Sequence, residues 1–282
     1  MAKIKLSNGV VLEYHEFGEG DRYLLCTQNF FLSGNHMELL ANPPYNYHTF
    51  LVTMRGYGGS DHVFCPKGLD WVALWGNDLL LFADALGIDR FYYTGISHGT
   101  LAGWYIAMHR PERLYALAAI SGLPLFSAPG QPLPIKLPQW YENGIIGNRE
   151  KLEKMAWNLW YPTKDPARLQ RRTLCHKEHL EILAARSREE FEVVVTNMSA
   201  CEAQTEEEYY AYIAKIPIPL LILFGMRDNS CSFDKAVQIA RCVPGAKLVS
   251  FEHFEHGAPD ECPELTAQEC DMFFRQTDHR IL

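Results

Sequence analysis

The chain has 282 residues, 48% of them apolar, with 26 basic residues set against 34 acidic ones and a formal charge of -8. That is ample apolar material for a buried core, and the length suits one large α/β domain or two small ones. No basic run is present to hold a phosphate backbone or an anionic bilayer, so nucleic acid and membrane are excluded as expected partners.

The first residues, Met1-Ala2-Lys3-Ile4-Lys5-Leu6-Ser7, lack the apolar stretch of an export signal, and a cytoplasmic location is expected. No apolar run approaches the ~20 residues that cross a bilayer. Cys26, Cys65, Cys175, Cys201, Cys231, Cys242, Cys262 and Cys270 are scattered, without any Cys-x-x-Cys, and read as reduced thiols that mostly fill the core. Asn197-Met198-Ser199 fits a glycosylation sequon, which has no meaning in that compartment. A homo-oligomer is compatible with this composition.

In chain order, Lys3 to Leu6 and Val10 to Phe17 read as strands joined by the turn pair Asn8-Gly9. A second turn at Gly18-Glu19-Gly20-Asp21 leads into a strand from Tyr23 to Thr27. Phe50 to Met54 is a strand, Trp71 to Leu86 a helix, Phe91 to Ile96 a strand, Leu101 to Arg110 a helix stopped by Pro111, and Leu114 to Ile120 a strand. Alternation of this kind after a hairpin points to a mostly parallel sheet with helices on both faces. From Leu123 to about Lys215 it stops. This stretch holds Pro124, Pro129, Pro132, Pro134 and Pro138 and several helical segments, Val193-Val194-Val195 being read inside one of them. Past Pro217 and Pro219 it resumes with a strand from Leu220 to Phe224, a helix from Phe233 to Cys242, a strand from Lys247 to Phe251 and a helix from Pro263 to Arg275. One α/β domain (1–122 and 216–282) interrupted by a helical insertion (123–215) is the simplest account, since roughly ninety residues is too long for an ordinary loop.

Gly95-Ile96-Ser97-His98-Gly99 spells Gly-x-Ser-x-Gly where the strand from Phe91 gives way to the helix from Leu101. A sharp turn there lifts a serine hydroxyl out of the sheet, and glycines on either side allow strand and helix to approach closely enough. Such a hydroxyl needs a base to take its proton and an acid to orient that base. Ligands of open α/β sheets bind beyond the carboxyl ends of strands, so the loops after the last two strands are the places to look. They supply Asp228 and His256, giving the order Ser, Asp, His expected of this type of site.

In these residues the chain resembles the α/β-hydrolase superfamily, in its esterase, lactonase and C–C hydrolase branch. Met54-Arg55-Gly56-Tyr57-Gly58-Gly59-Ser60-Asp61 is similar to that family's Arg-Gly-x-Gly-x-Ser turn. Asp84-Ala85-Leu86-Gly87-Ile88 precedes the nucleophile strand as in many members, and His256 with Glu261, Pro263 and Glu264 resembles its C-terminal pattern. The resemblance covers nearly the whole chain outside the insertion. His253 competes with His256 for the base, and the latter is preferred because it keeps the family spacing to Pro263 and Glu264. Asp234 competes with Asp228 for the acid but falls where the next helix has begun. Some members carry the acid after the sixth strand, where this chain reads Ser121-Gly122-Leu123.

A tetrahedral intermediate needs two backbone N–H donors, expected from His98 and from Phe30 in the loop after the third strand. In relatives that loop opens His-Gly. Here it opens Gln28-Asn29, a departure that puts two amide side chains near the substrate. The resemblance makes the insertion a cap over the serine. Phe31, Trp157 and Trp160 are its expected substrate contacts, with Trp140, Tyr141 and Tyr161 as further aromatic candidates. Cys175, His176 and His179 have a spacing that could hold a metal, but without a fourth ligand they read as a solvated helix face; no metal and no cofactor is expected. The sequence thus points to a serine hydrolase acting on an ester or lactone of a largely apolar small molecule. C–C bond hydrolysis with the same triad, and a ligand receptor with a vestigial triad, are the alternatives.

Overall fold

Asn8 and Gly9 turn the chain back on itself, with Gly9 at φ 89° and the Leu6 N–H donating to the Val10 carbonyl at 2.8 Å. In the computed structural model, which describes residues 1–27, 35–62, 71–126, 150–151, 154, 160–185 and 199–278, this turn joins β1 (Ala2–Lys5) to β2 (Val11–Phe17). There follow β3 (Arg22–Thr27), α1 (Asn35–Ala41), β4 (Tyr47–Val52), α2 (Trp71–Ala85), β5 (Phe91–Ile96), α3 (Leu101–His109) and β6 (Leu114–Ile120). After the insertion come β7 (Leu220–Gly225), a helix at Phe233–Cys242, β8 (Lys247–Phe251), a short helix at Ala258–Glu261 and a last helix at Pro263–Asp278. The sheet has eight strands in the order β1-β2-β4-β3-β5-β6-β7-β8, antiparallel at β1/β2 and β2/β4 and parallel at every later pair.

Burial on both faces explains why the central strands read as near-continuous apolar runs. Along β5, Phe91 and Tyr93 face a core shared with α2 and α3, whereas Tyr92 and Ile96 face a second core shared with α1 and the last helix. β7 divides the same way: Leu220, Ile222 and Phe224 on one side, Leu221 and Leu223 on the other. The fourth strand begins earlier than the sequence suggests, at Tyr47 rather than Phe50, and Met54 lies beyond its end. Tyr47, His48 and Thr49 look polar, yet they pair in parallel with Arg22, Tyr23 and Leu24, and Tyr47 is fully buried.

β6 and β7 are hydrogen-bonded neighbours, so residues 121–219 form an excursion between adjacent strands. The excursion contains α4 (Pro166–Ala185) and α5 (Glu206–Ile213); Glu150, Lys151 and Lys154 are also helical, and Leu125 and Ser199 form an isolated parallel bridge. Thr205 caps α5, its hydroxyl accepting from the Glu208 N–H at 3.1 Å. Val193–Val195 lies outside the described residues. In chain order the three helices after β7 are α6 (Phe233–Cys242), α7 (Ala258–Glu261) and α8 (Pro263–Asp278). No helix among the described residues is long and apolar enough to cross a membrane, and every described cysteine is a free thiol.

Candidate active site

Ser97 stands directly after β5 at φ 50°, a left-handed backbone that a residue with a Cβ adopts only under constraint. The constraint is visible in its neighbours. A Cβ on Gly95 would lie 2.4 Å from the Gly99 carbonyl oxygen, and one on Gly122, after β6, would lie 2.4 Å from the carbonyl oxygen of Ser97 itself. Only residues without side chains let three backbones meet there. A single 3-10 turn, Ser97–Thr100, leads into α3, and the Thr100 hydroxyl donates to the Ser97 carbonyl at 2.7 Å. Beneath the turn, the Gly99 carbonyl accepts from the Thr27 hydroxyl and, at 2.6 Å, from the Tyr93 hydroxyl. The elbow is therefore pinned by both strands under it.

His256 and Asp228 arrive from the loops after β8 and β7. The His256 Nε2 lies 2.8 Å from the Ser97 hydroxyl, and its Nδ1 lies 2.9 Å from Asp228 Oδ2. The other carboxylate oxygen accepts from the N–H groups of Ser230 and Cys231 at 2.9 and 2.8 Å. Both oxygens are thus engaged, and the carboxylate is fully buried. An anion held so favours the tautomer with its proton on Nδ1, which leaves Nε2 free to accept. The competitors lie elsewhere: His253 is exposed, its ring against Phe251 and Phe254, and Asp234 is exposed in the first turn of α6.

Two further ionisable groups border this trio. Burial, reinforced by the charge of Asp228, lifts the Glu255 carboxyl above the usual carboxylate range. The same two causes push the Cys231 thiol far above its ordinary value. Asp228, Cys231 and His256 each bring a ligating atom within 4.8 Å of the others. Two of these three, Asp228 and His256, are bonded to each other.

The His98 ring packs edge-on against Trp75 at 4.9 Å and against Tyr57 at 6.2 Å. Thr27, last residue of β3, is the register partner of Gly95 in the elbow. Gln28, Asn29, Phe30, Phe31, Trp140, Tyr141 and Trp157 lie outside the described residues. Trp160 is buried, stacked on His179 and donating its ring N–H to the Gly257 carbonyl at 3.2 Å. Cys175, His176 and His179 do not form the solvated face that the sequence suggests: all three are buried. The Cys175 thiol donates to the Asp260 carbonyl, and His179 Nε2 lies 3.2 Å from the Asp260 carboxylate. In the Arg-Gly turn, Arg55 is buried in a two-pronged pair with Asp78 at 2.6 and 2.8 Å. Sequence reasoning missed Thr27, Tyr93 and Asp78. A tyrosine inside a buried strand was the one available signal, because its hydroxyl must find a partner.

Comparison with known proteins agrees with this fold. A family profile described as the alpha/beta hydrolase fold matches residues 34–263. The 3-oxoadipate enol-lactonase 2 of Acinetobacter baylyi is 26% identical across 78% of this chain and 76% of its own. The 2-hydroxy-6-oxononadienedioate/2-hydroxy-6-oxononatrienedioate hydrolase 2 of Pseudomonas putida is 25% identical across 90% of this chain and 87% of its own. Among solved structures, the enol-lactonase from Burkholderia xenovorans superposes with a TM-score of 0.75 at 17% identity, covering 97% of this chain and 100% of that one.

Proposed function

Because the chain belongs to the α/β-hydrolase fold family, we propose that it is a serine hydrolase that cleaves a carboxylic ester or lactone of a largely apolar small molecule through an acyl-enzyme. The observation that carries this reading is the hydrogen-bonded relay from Ser97 through His256 to Asp228, at 2.8 and 2.9 Å. Ser97 attacks the carbonyl carbon while His256 Nε2 takes its proton. His256 then returns the proton to the departing alkoxide, and Asp228 supports the imidazolium between these steps. The amides of His98 and Phe30 hold the oxyanion. Water, deprotonated by His256, attacks the acyl-enzyme and releases the acid. This sequence of steps needs no cofactor and no metal.

Residues 123–215 act in this reading as a cap, with Gln28, Asn29, Phe31 and Trp157 contacting substrate. Trp160, already committed to His179 and Gly257, anchors the cap instead. Enol-lactonase relatives favour a lactone over an open ester. One observation favours a second reading, C–C bond cleavage by the same trio: the Pseudomonas putida hydrolase, whose substrate carries a ketone, aligns over more of this chain than the Acinetobacter lactonase does.

Turnover of a panel of p-nitrophenyl esters, lactones and β-diketones, with product analysis, separates the readings. The proposal expects ester or lactone turnover that is lost in His256→Ala and nearly unchanged in His253→Ala. Turnover confined to the β-diketones transfers the assignment to C–C cleavage, and equal loss in both variants removes His256 from its role.

A further inference from the structure

Helix α4 presents an unusual docking face. Arg168, Arg172, Cys175 and His179 follow one another at spacings of four, three and four, the stripe on which a helix ordinarily carries its apolar contacts. Here every member is polar or charged, and Arg172, Cys175 and His179 are buried. All four bond to the segment that carries His256. Arg168 donates to both oxygens of Glu261 at 2.8 and 2.9 Å and to the His253 carbonyl at 3.2 Å. Arg172 adds a bond to Glu261 at 2.7 Å, while Cys175 and His179 hold Asp260. Trp160, just before the helix, binds the carbonyl of Gly257, the residue after His256.

The Glu261 carboxylate is fully buried between two guanidiniums. Replacing such a cluster with apolar side chains is often neutral or stabilising, because desolvation offsets the Coulomb attraction. What directional bonds supply, and an apolar stripe does not, is a fixed register. We propose that Glu261 is a positioning residue: clamped by Arg168 and Arg172 of the insertion, it fixes the turn after His256 and so sets the distance from Nε2 to the Ser97 hydroxyl. Catalytic geometry is then coupled to docking of the insertion, since bonds from it reach the backbone on both sides of His256. This rests on the serine-hydrolase reading above.

The test compares wild type, Glu261→Gln and the milder Arg168→Lys. It measures kcat and KM on p-nitrophenyl butyrate and the rate of Ser97 modification by a fluorophosphonate, all well below each protein's melting temperature. A register error of about 1 Å at the base predicts a fall in kcat and in labelling rate on the order of 10- to 100-fold in Glu261→Gln, with KM within about twofold. Arg168→Lys, which keeps the charge but loses the two-pronged grip, is expected to fall between that variant and wild type. If Glu261→Gln does not fold, Arg168→Lys alone carries the comparison. A lowered melting temperature with kcat and labelling rate unchanged overturns the positioning role while leaving the hydrolase reading intact. Wild type that neither turns over nor labels at Ser97 overturns both.

Discussion

Asp228 uses its two oxygens differently, one for the His256 ring and one for the N–H groups of Ser230 and Cys231. In Asp228→Asn the amide oxygen can keep the backbone bonds, which turns the NH2 toward Nδ1. The imidazole is then held with its proton on Nε2, facing Ser97, where it cannot accept. Steady-state kinetics are expected to show kcat lower by about 1,000- to 10,000-fold, with a melting temperature close to wild type. His36 gives a test of stability rather than chemistry. It is fully buried, neither ring nitrogen has a partner among the described residues, and burial lowers it from 6.5 to about 3. Above pH 6.5 the ring is neutral in both states; below it the unfolded chain binds a proton that the native state refuses, so stability falls until the native ring also titrates near pH 3. The contribution is about 3 kcal/mol by pH 4.5. Denaturant unfolding of His36→Leu is expected to lose that much less on acidification than wild type; identical acid sensitivity would refute it. The trio was legible in the sequence because each member sits at a strand end in a fixed order. His36 and Tyr93 were not, because what surrounds them comes from distant parts of the chain.

Most elements were readable because the sheet is buried on both faces, which turns its strands into apolar runs. β4 was misread at its start, where polar-looking residues pair inside the sheet. Cys175 and His179 of α4 were misread as solvated for a related reason: polar side chains on a helix ordinarily signal solvent, and their partner Asp260 lies 85 and 81 residues away. At the elbow the element itself can be tested. Gly95→Ala sets a Cβ 2.4 Å from a backbone oxygen that cannot yield without moving Ser97. Overpacking of this kind costs about 1–3 kcal/mol. Thermal denaturation is expected to show that loss, and ester turnover a fall well beyond it, since displacement of the nucleophile adds to it. A variant with native turnover would mean that the tight elbow is not required.

At the scale of the whole molecule, sheet order brings the parts together. β3 lies between β4 and β5, so the strand direction in which the chain advances reverses there, and Thr27 ends beside Gly95. A crevice at such a reversal is where open α/β sheets bind their ligands. β7 and β8 then deliver Asp228 and His256 along the same edge, and the excursion between β6 and β7 reaches over to hold the His256 segment. Composition set the expectation of a small-molecule partner and the motifs pointed to the ends of particular strands, but how the excursion docks depends on polar pairs that no local pattern encodes. Activation of Ser97 as a nucleophile by His256 underlies the proposed function. Its most direct measurement is peptide mapping by mass spectrometry after treatment with a fluorophosphonate. The account predicts one adduct on the peptide containing Ser97, absent in Ser97→Ala and formed far more slowly in His256→Ala; an unmodified Ser97, or equal labelling of Ser97→Ala, would contradict it.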